Sequence, residues 1–462
     1  IREEDLDTDT PLVEFGEGTG YVNSDLTVGV DVTTADALLA NQGLCSPGVK
    51  LHGDGFIVTR SEAEQLGLGK RPGLENYIRE YRNGRDLTSR PRDVMVIDLF
   101  GLDADEIRER FPEIYQHLSL TIKPQREKQA KKSPTKDAKA YAEHWWIFGK
   151  PRQQLRPALR GLNRYIATVE TTKHRVFQFL GKSILPDNML VVVASNNAFH
   201  LGVLSSRIHR IWTVQQGGTL EDRPRYTKSH CFDPFPFPDT NELQKECIGE
   251  IAEKLDAHRK RVLTEQPRLT LTGLYNVLEE LRKGIAPDEF SPAARQIFDD
   301  GQVLILKELH DSVDGEVARA YGWPENLSGE EILSRLVSLN RKRGAEEAKG
   351  EVRWLRPEYQ IPCFGTPKEK EELDLAGGEM RETGSVRAAK ENWPKDDIGQ
   401  TAAVMAVLAS ATAPLGTDAI AVAFKQGRKC AKSVHAVLAS LARMGRLHTG
   451  DNGKTFLLRR AG

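Results

Sequence analysis

The seven residues Phe232–Pro238 (FDPFPFP) fit neither a helix nor a central strand, and they divide the chain. Each proline removes a backbone donor and fixes φ. Beyond them, from Asn241, apolar residues recur at helical spacing in Leu243–Val262, Leu271–Lys283, Ser291–Val313 and Glu330–Arg343. Gly322-Trp323-Pro324 interrupts these patterns and Arg353–Pro357 ends them. Before the divider, strands and helices alternate. The expected fold class is therefore α+β, with a mixed α/β domain over residues 31–240 and a helical domain over 241–365. Residues 366–394, rich in Lys, Glu and Gly, read as a linker. Residues 395–462 read as a small winged-helix-like domain: helices over Thr401–Ala411, Asp418–Gln426 and Lys432–Met444, then a hairpin turning at Gly450–Gly453.

The mixed part can be read element by element. Val94–Phe100 and Met189–Ala194 are apolar enough for buried strands, and Arg164–Val169 and Arg175–Leu180 read as strands around the polar turn Glu170–His174. Ala104–Leu118, Arg152–Leu162 and Phe199–Trp212 read as helices, the last ended by Gly217-Gly218. Asp31–Asn41 reads as a short helix capped near Thr33 or Thr34, Val49–Thr59 as a hairpin turning at Gly53–Gly55, and Ser61 with Glu64 as a helix start. Tyr77–Arg92 holds five arginines around an Asn83-Gly84 turn. Lys123–Lys139 is strongly basic and reads either as a connector or as a phosphate-contacting arm.

Charge is distributed unevenly. Between Trp145 and His230 stand 13 Lys and Arg against 4 Asp and Glu, in a chain of net charge −1. The usual partner of such a concentrated positive field is a polyanion. Trp145, Trp146, Tyr165, Phe177, Phe179, Trp212 and Tyr226 are interleaved with the cations, which favours nucleic acid over a plain solvated face.

Other classes are disfavoured. No run approaches the roughly 20 apolar residues of a membrane span, so no membrane partner is expected. The acidic, polar start resembles neither a secretory signal nor a transit peptide, and the first residue is Ile1 and not Met, as in a piece of a longer protein. Five scattered cysteines without Cys-x-x-Cys spacing suggest neither zinc nor a disulfide framework, and a cytoplasmic location is expected. Val13–Gly20 (VEFGEGTG) matches a cofactor loop superficially. Such a loop must close an apolar strand and open a helix, and polar residues flank this one, so it reads as a surface turn.

Several motifs occur in order: Arg164–Thr168, Lys173–Phe177, Leu201–His209 and Phe232–Pro238, flanked by Gly53–Phe56, Tyr81–Leu87, Leu274–Asn276, Ala320–Trp323 and Trp354–Glu358. Together they resemble the target recognition domain and helical C-terminal domain of MmeI-like adenine-specific DNA methyltransferases. The resemblance spans roughly residues 30–365 and leaves out the last domain. It implies S-adenosylmethionine-dependent N6-methylation of adenine in the complete enzyme, by a flipped-base pocket built on an Asn/Asp-Pro-Pro-Tyr/Phe tetrapeptide. That tetrapeptide is absent here. The chain is thus expected to hold no catalytic residue, cofactor or metal, and residues 1–30 to be the tail of a missing methyltransferase part. Its expected partners are double-stranded DNA and that part.

The resemblance places base reading on Glu221, Asp222, Arg223 and Arg225, in an exposed polar loop over Thr219–Lys228. Contacts to DNA phosphates are expected from Lys150, Arg152, Lys173, His174, Arg175, Ser206, Arg207 and Lys228. In the winged-helix-like domain, Lys432, His435, Ser440 and Arg443 would face outward. Two other readings remain open: a non-enzymatic regulator that reads DNA with the last domain, and a stand-alone specificity subunit.

Overall fold

A computed structural model describes residues 21–22, 28–220, 223–373, 393–394, 396–410, 415–421, 424–444, 447–450 and 455–458. The chain divides into two compact units, Ile1–Phe364 and Gly365–Gly462.

The first unit begins with the short pair β1 (Tyr21–Val22) and β2 (Val28–Gly29), and then holds two four-stranded sheets. One is built from β4 (Ile57–Thr59), β5 (Ile78–Arg82), β6 (Val94–Ile97) and β9 (Ile184–Pro186), in the order β4-β6-β5-β9. The β5–β9 pair is parallel. The other contains β3 (Cys45–Pro47), β7 (Arg164–Val169), β8 (Gln178–Gly181) and β10 (Leu190–Val193), antiparallel in the order β3-β10-β7-β8. Strands β8 and β9 are neighbours in sequence but belong to different sheets, so the chain passes from one sheet to the other near Lys182. β10 is LVVV and buried at all four positions, as β-branched residues in a covered central strand should be.

Helices surround the sheets: α1 (Arg60–Gln65), α2 (Gly84–Thr88), α3 (Ala104–Arg110), α4 (Pro112–Thr121), α5 (Lys123–Lys132), α6 (Lys136–Glu143), α7 (Leu155–Leu159), α8 (Ala198–Ser205) and α9 (Arg207–Gly217). After the hairpin of β11 (Thr219–Leu220) and β12 (Arg223–Pro224) come α10 (Glu242–Glu265), α11 (Leu271–Arg282), α12 (Pro292–Asp300), α13 (Val303–Tyr321), α14 (Gly329–Glu347) and α15 (Pro357–Phe364). One apolar core runs from Val32 through Phe177, Trp212 and Phe235 to Val337, so the mixed and helical segments share it. A second core, around Phe56, Ile97, Phe111 and Trp145, holds the β4–β6 sheet against α1, α3 and α4.

The proline-rich divider is irregular, as expected, and its carbonyls are satisfied by side chains. Asn41 Nδ2 donates to the carbonyls of Phe232, Asp233 and Phe235 at 3.0, 2.9 and 2.8 Å. Asn340 Nδ2 reaches Pro234 at 2.7 Å and the Tyr321 hydroxyl reaches Pro236 at 2.8 Å.

Several expectations need correction. Asp31–Asn41 is not a helix but two 3₁₀ turns, Val32–Thr34 and Leu39–Asn41, the first capped by Asp31. Val49–Thr59 is not a hairpin: Val49 bridges Asp187, Lys50 bridges Lys150, and a 3₁₀ turn precedes β4. The cap of α1 is Thr59 with Glu62, two residues before the expected pair. Ala104–Leu118 breaks at Phe111-Pro112, Phe199–Trp212 at Ser206 and Ser291–Val313 near Gly301, because a proline or a new N-cap starts the second helix in the first two cases. Lys123–Lys139 is not a mobile connector. It forms most of α5 and α6, clamped by buried Arg126, which donates to the carbonyls of Leu51, Trp145 and Ile147 among others.

In the second unit, residues 367–373 are helical and form α16. The elements α17 (Asp397–Ser410), β13 (Leu415–Gly416), α18 (Thr417–Ala421), α19 (Ala431–Arg443), β14 (Leu447–Gly450) and β15 (Thr455–Leu458) follow, with a sheet of order β13-β15-β14. Val404, Leu408, Ile420, Val434, Leu438 and Phe456 form a core of its own. Most of the expected linker, 374–392, lies outside the described residues, as does the Val13–Gly20 segment. No helix among the described residues is long and apolar enough to cross a membrane.

Candidate nucleic-acid interface

The segment expected to be an exposed loop, Thr219–Lys228, contains a hairpin. Thr219 pairs with Pro224 and Leu220 with Arg223. The turn β7–β8 holds it: Tyr226 N donates to Glu170 O at 2.7 Å, Thr171 bridges Arg225, and Arg225 N donates to Gly218 O at 3.1 Å. Gly217 must be glycine, because a Cβ there would lie 1.9 Å from the carbonyl oxygen of Arg225. Beneath sits Arg175, donating to the carbonyls of Val169, Glu170 and Pro224 and lying 5.2 Å over the Tyr226 ring. Burial pulls its guanidinium down to about 10. Tyr226 is fully buried, and its hydroxyl meets His209 Nε2 at 3.2 Å.

Beside this hairpin lies an open cleft of about 490 Å³. Arg85, Lys173 and Arg223 line it, with Asp187 the acidic residue of its wall among the described residues. Asp187 is engaged within the protein: its carboxylate accepts from the Tyr81 hydroxyl at 2.5 Å and from Met189 N at 2.9 Å. Asn83 fixes Arg85 at the start of α2 by a reciprocal capping box with Asp86, at 3.1 and 2.8 Å. A Cβ on Gly84 would lie 2.9 Å from Val169 Cγ1, so the α2 turn packs closely on β7. On the far side, Asn276 Oδ1 accepts from Lys173 Nζ at 2.9 Å and faces His174 Nε2 at 2.8 Å. Lysine can only donate, so the amide oxygen faces the pair and His174 donates to it from Nε2, while His174 Nδ1 faces Glu279 Oε1 at 3.2 Å. The cleft thus presents the cations Arg85, Lys173 and Arg223 and the polar side chains Asn83, Thr171 and Thr172, donor types that suit phosphates and base edges.

The expected site residues differ in exposure and engagement. Lys150, Lys173 and Arg223 are exposed, with Lys173 and Arg223 on the cleft. Arg152, Arg207 and Lys228 are half-buried: Arg152 Nε donates to Gly48 O at 2.8 Å and Lys228 Nζ to Asp233 Oδ2 at 2.8 Å, and the backbone of Arg207 donates to Asp314 Oδ1 at 2.5 Å. Arg225, expected to read bases, is exposed but tied to Glu170 through Nε at 2.7 Å and Nη2 at 2.6 Å. Three expected phosphate contacts are corrected. His174 is buried against α11, Arg175 is the brace described above, and Ser206 is wholly buried as the N-cap of α9, its hydroxyl bonded to Val203 O and His209 N. Glu221 and Asp222 lie outside the described residues. On α19 of the second unit, Lys432, His435 and Arg443 are exposed and Ser440 is half-buried.

The aromatic interleaving has a structural cause. Trp145, Tyr165, Phe177, Phe179, Trp212 and Tyr226 are all core residues, and Trp146 donates its indole to Leu102 O at 2.9 Å. These rings therefore give no stacking platform. Sequence reasoning missed Asn83 and Arg85 as site residues. The arginine-rich Tyr77–Arg92 segment signalled them, but only tertiary packing brings α2 beside β7.

Residues 32–239 match the family model "MmeI, target recognition domain". DNA methyltransferase A of Bacillus subtilis (strain 168) is 31% identical over 160 residues, covering 34% of this chain and 15% of that protein. A solved structure of the Type IIL restriction-modification enzyme MmeI in complex with DNA matches in fold with a TM-score of 0.52 at 22% identity, over 70% of this chain and 39% of that one. The chain therefore spans well under half of either relative. Within it, residues 32–239 are a target recognition domain of the MmeI family.

Proposed function

We propose that this chain is the sequence-specific DNA-recognition portion of an S-adenosylmethionine-dependent adenine-N6 DNA methyltransferase of restriction-modification or phage-defence type. The supporting observation is the coincidence of the family match with the basic cleft: Arg85, Lys173 and Arg223 meet inside residues 32–239. In this reading Lys150, Arg152, Lys173, Arg207 and Lys228 take phosphates, fixing position along the duplex without reading it. Arg223, with Glu221 and Asp222, reads base edges. The helices after Glu242 brace the reader through the shared core. Methyl transfer itself, with its cofactor and its Asn-Pro-Pro-Tyr pocket, belongs to a separate methyltransferase part that acts as partner. The second unit, by its order of helices and strands, is proposed as a winged helix, with α19 as its presenting helix.

Fluorescence anisotropy with duplex DNA tests the reading. With about five phosphate contacts, log affinity against log salt should fall with a slope of roughly −4 to −5. A flat salt response would remove the 145–230 stretch as the DNA face.

A further inference from the structure

A second pocket, of about 270 Å³, opens between α7, β9 and the end of β5. Arg79, Arg152, Arg156, Arg160 and Lys182 line it. The acid nearest to hand, Asp98, is consumed: its two oxygens each accept from Arg156 at 2.8 Å. Among the described residues no carboxylate forms an ion pair with Arg79, Arg152, Arg160 or Lys182. Arg79 and Arg152 instead donate to backbone carbonyls, Arg79 to Lys182 O at 2.6 Å and Arg152 to Gly48 O at 2.8 Å. Burial holds both guanidiniums below their ordinary value. Arg152 also sits at φ +55°, left-handed backbone that a non-glycine residue adopts at a cost and that clusters at ligand clamps.

Cations crowded round one small space repel one another unless an anion joins them. A bare phosphate site would need nothing else. This pocket, however, is floored by Leu155, Leu159, Leu162, Leu185 and the Tyr165 ring. An apolar floor under a cationic rim suits a ligand with a flat apolar body and an anionic end.

We propose that this pocket is a nucleotide site, which takes the phosphate on Arg152, Arg160 and Lys182 and the base against Leu155, Leu159 and Tyr165. The same chemistry has two sources: a free mononucleotide, or a nucleotide unstacked from a DNA strand. The free-nucleotide source does not depend on the DNA reading above.

The full 462-residue chain is titrated calorimetrically with adenosine monophosphate and with inorganic phosphate. In parallel it is titrated with a duplex carrying one extrahelical 2-aminopurine, read by fluorescence quenching. The variant Arg160→Glu/Lys182→Glu changes two exposed residues, and thermal denaturation checks its fold. Lys131→Glu/Lys132→Glu, exposed on α5, controls for the general field. Adenosine monophosphate should bind at least about tenfold more tightly than inorganic phosphate, and the pocket variant alone should lose about tenfold or more. A loss in the mononucleotide arm assigns a free nucleotide; a loss of quenching with duplex alone assigns a strand nucleotide. Equal binding of phosphate and mononucleotide would overturn the base-binding floor and with it the proposal. So would a pocket variant indistinguishable from wild type in both arms, even where the duplex still binds.

Discussion

The Arg175 guanidinium donates to the carbonyl oxygen of Pro224 at 2.9 Å, joining residues 49 apart in sequence. The same side chain serves Val169 and Glu170, so it ties the β7–β8 turn to the hairpin that carries Arg223. It acts as a positioning residue for the hairpin. Arg175→Ala would strip a donor from the part-buried carbonyls of Val169, Glu170 and Pro224, although Glu170 O keeps Tyr226 N and Pro224 O keeps Thr172 N. It should destabilise the protein by about 1–3 kcal/mol, with Arg175→Lys recovering part of the loss because it keeps one donor. Urea denaturation at neutral pH measures this. A loss below about 0.5 kcal/mol would mean that water replaces the guanidinium readily.

Acid should weaken the first unit early. Burial, joined by Lys245, pulls His200 down to about 4, and burial with Arg175 pulls His209 down to about 3. His310 is held well below 6.5 by burial and nearby arginines. In the unfolded chain each takes a proton near 6.5, so below that pH the unfolded state binds more protons. Stability is then fully present above about 6.5 and lost as the pH falls towards 4 and 3, at about 1.4 kcal/mol per pH unit for each excess proton. Asp233 and Asp314, whose carboxyls burial raises, oppose this at the acid end. The urea midpoint should hold constant from about pH 8 to about pH 7 and decline below about 6.5. A midpoint that stays level down to about pH 5 would contradict the burial of these rings.

How far the sequence could be read depended on the range of the cause. Strands β6 and β10 were legible because an uninterrupted apolar run is a local signal. So was the irregularity of Phe232–Pro238, since proline acts on its own backbone. The roles of His174, Arg175 and Ser206 were not legible. A histidine beside an arginine looks like a phosphate grip, and what buries these two is Asn276 on α11 and the carbonyl of Pro224, both far along the chain. Ser206 followed by Arg207 looked like a polar patch within one helix, yet serine caps a second helix there. The cleft itself depends on Asn83-Gly84 packing against Val169, which no local pattern reveals.

The second unit should be removable. It has its own core, and the clustering of contacts divides the chain after Phe364. A chain ending at Phe364 should keep the near-ultraviolet circular dichroism of the first unit's buried tryptophans and its duplex binding to within about threefold. If the shortened protein is folded but no longer binds DNA, the reading of the second unit as the DNA reader gains and the cleft loses its role.

The last expectation separates two cations of one cleft. Arg223 and Lys173 both line it, yet they differ in chemistry and anchoring. Lys173 is held by Asn276 as a single point charge, the form that suits a phosphate. Arg223 stands on the hairpin, where its planar fork can pair bidentately with guanine O6 and N7. Arg225, two residues on, is paired with Glu170. Lys173→Ala should therefore weaken all duplexes alike and reduce the salt slope by about 1, whereas Arg223→Ala should relax preference at one base pair by about 1–3 kcal/mol. Exchanging charge with Glu221→Lys and Arg223→Asp should move that preference, with G and C interchanged at the one position and the others kept. Binding-site selection from a randomised duplex pool, followed by sequencing, measures all three variants. If Arg223→Ala weakens every sequence equally and the exchange variant selects the parental site, then Arg223 is a phosphate contact and the reading of bases lies elsewhere in the domain.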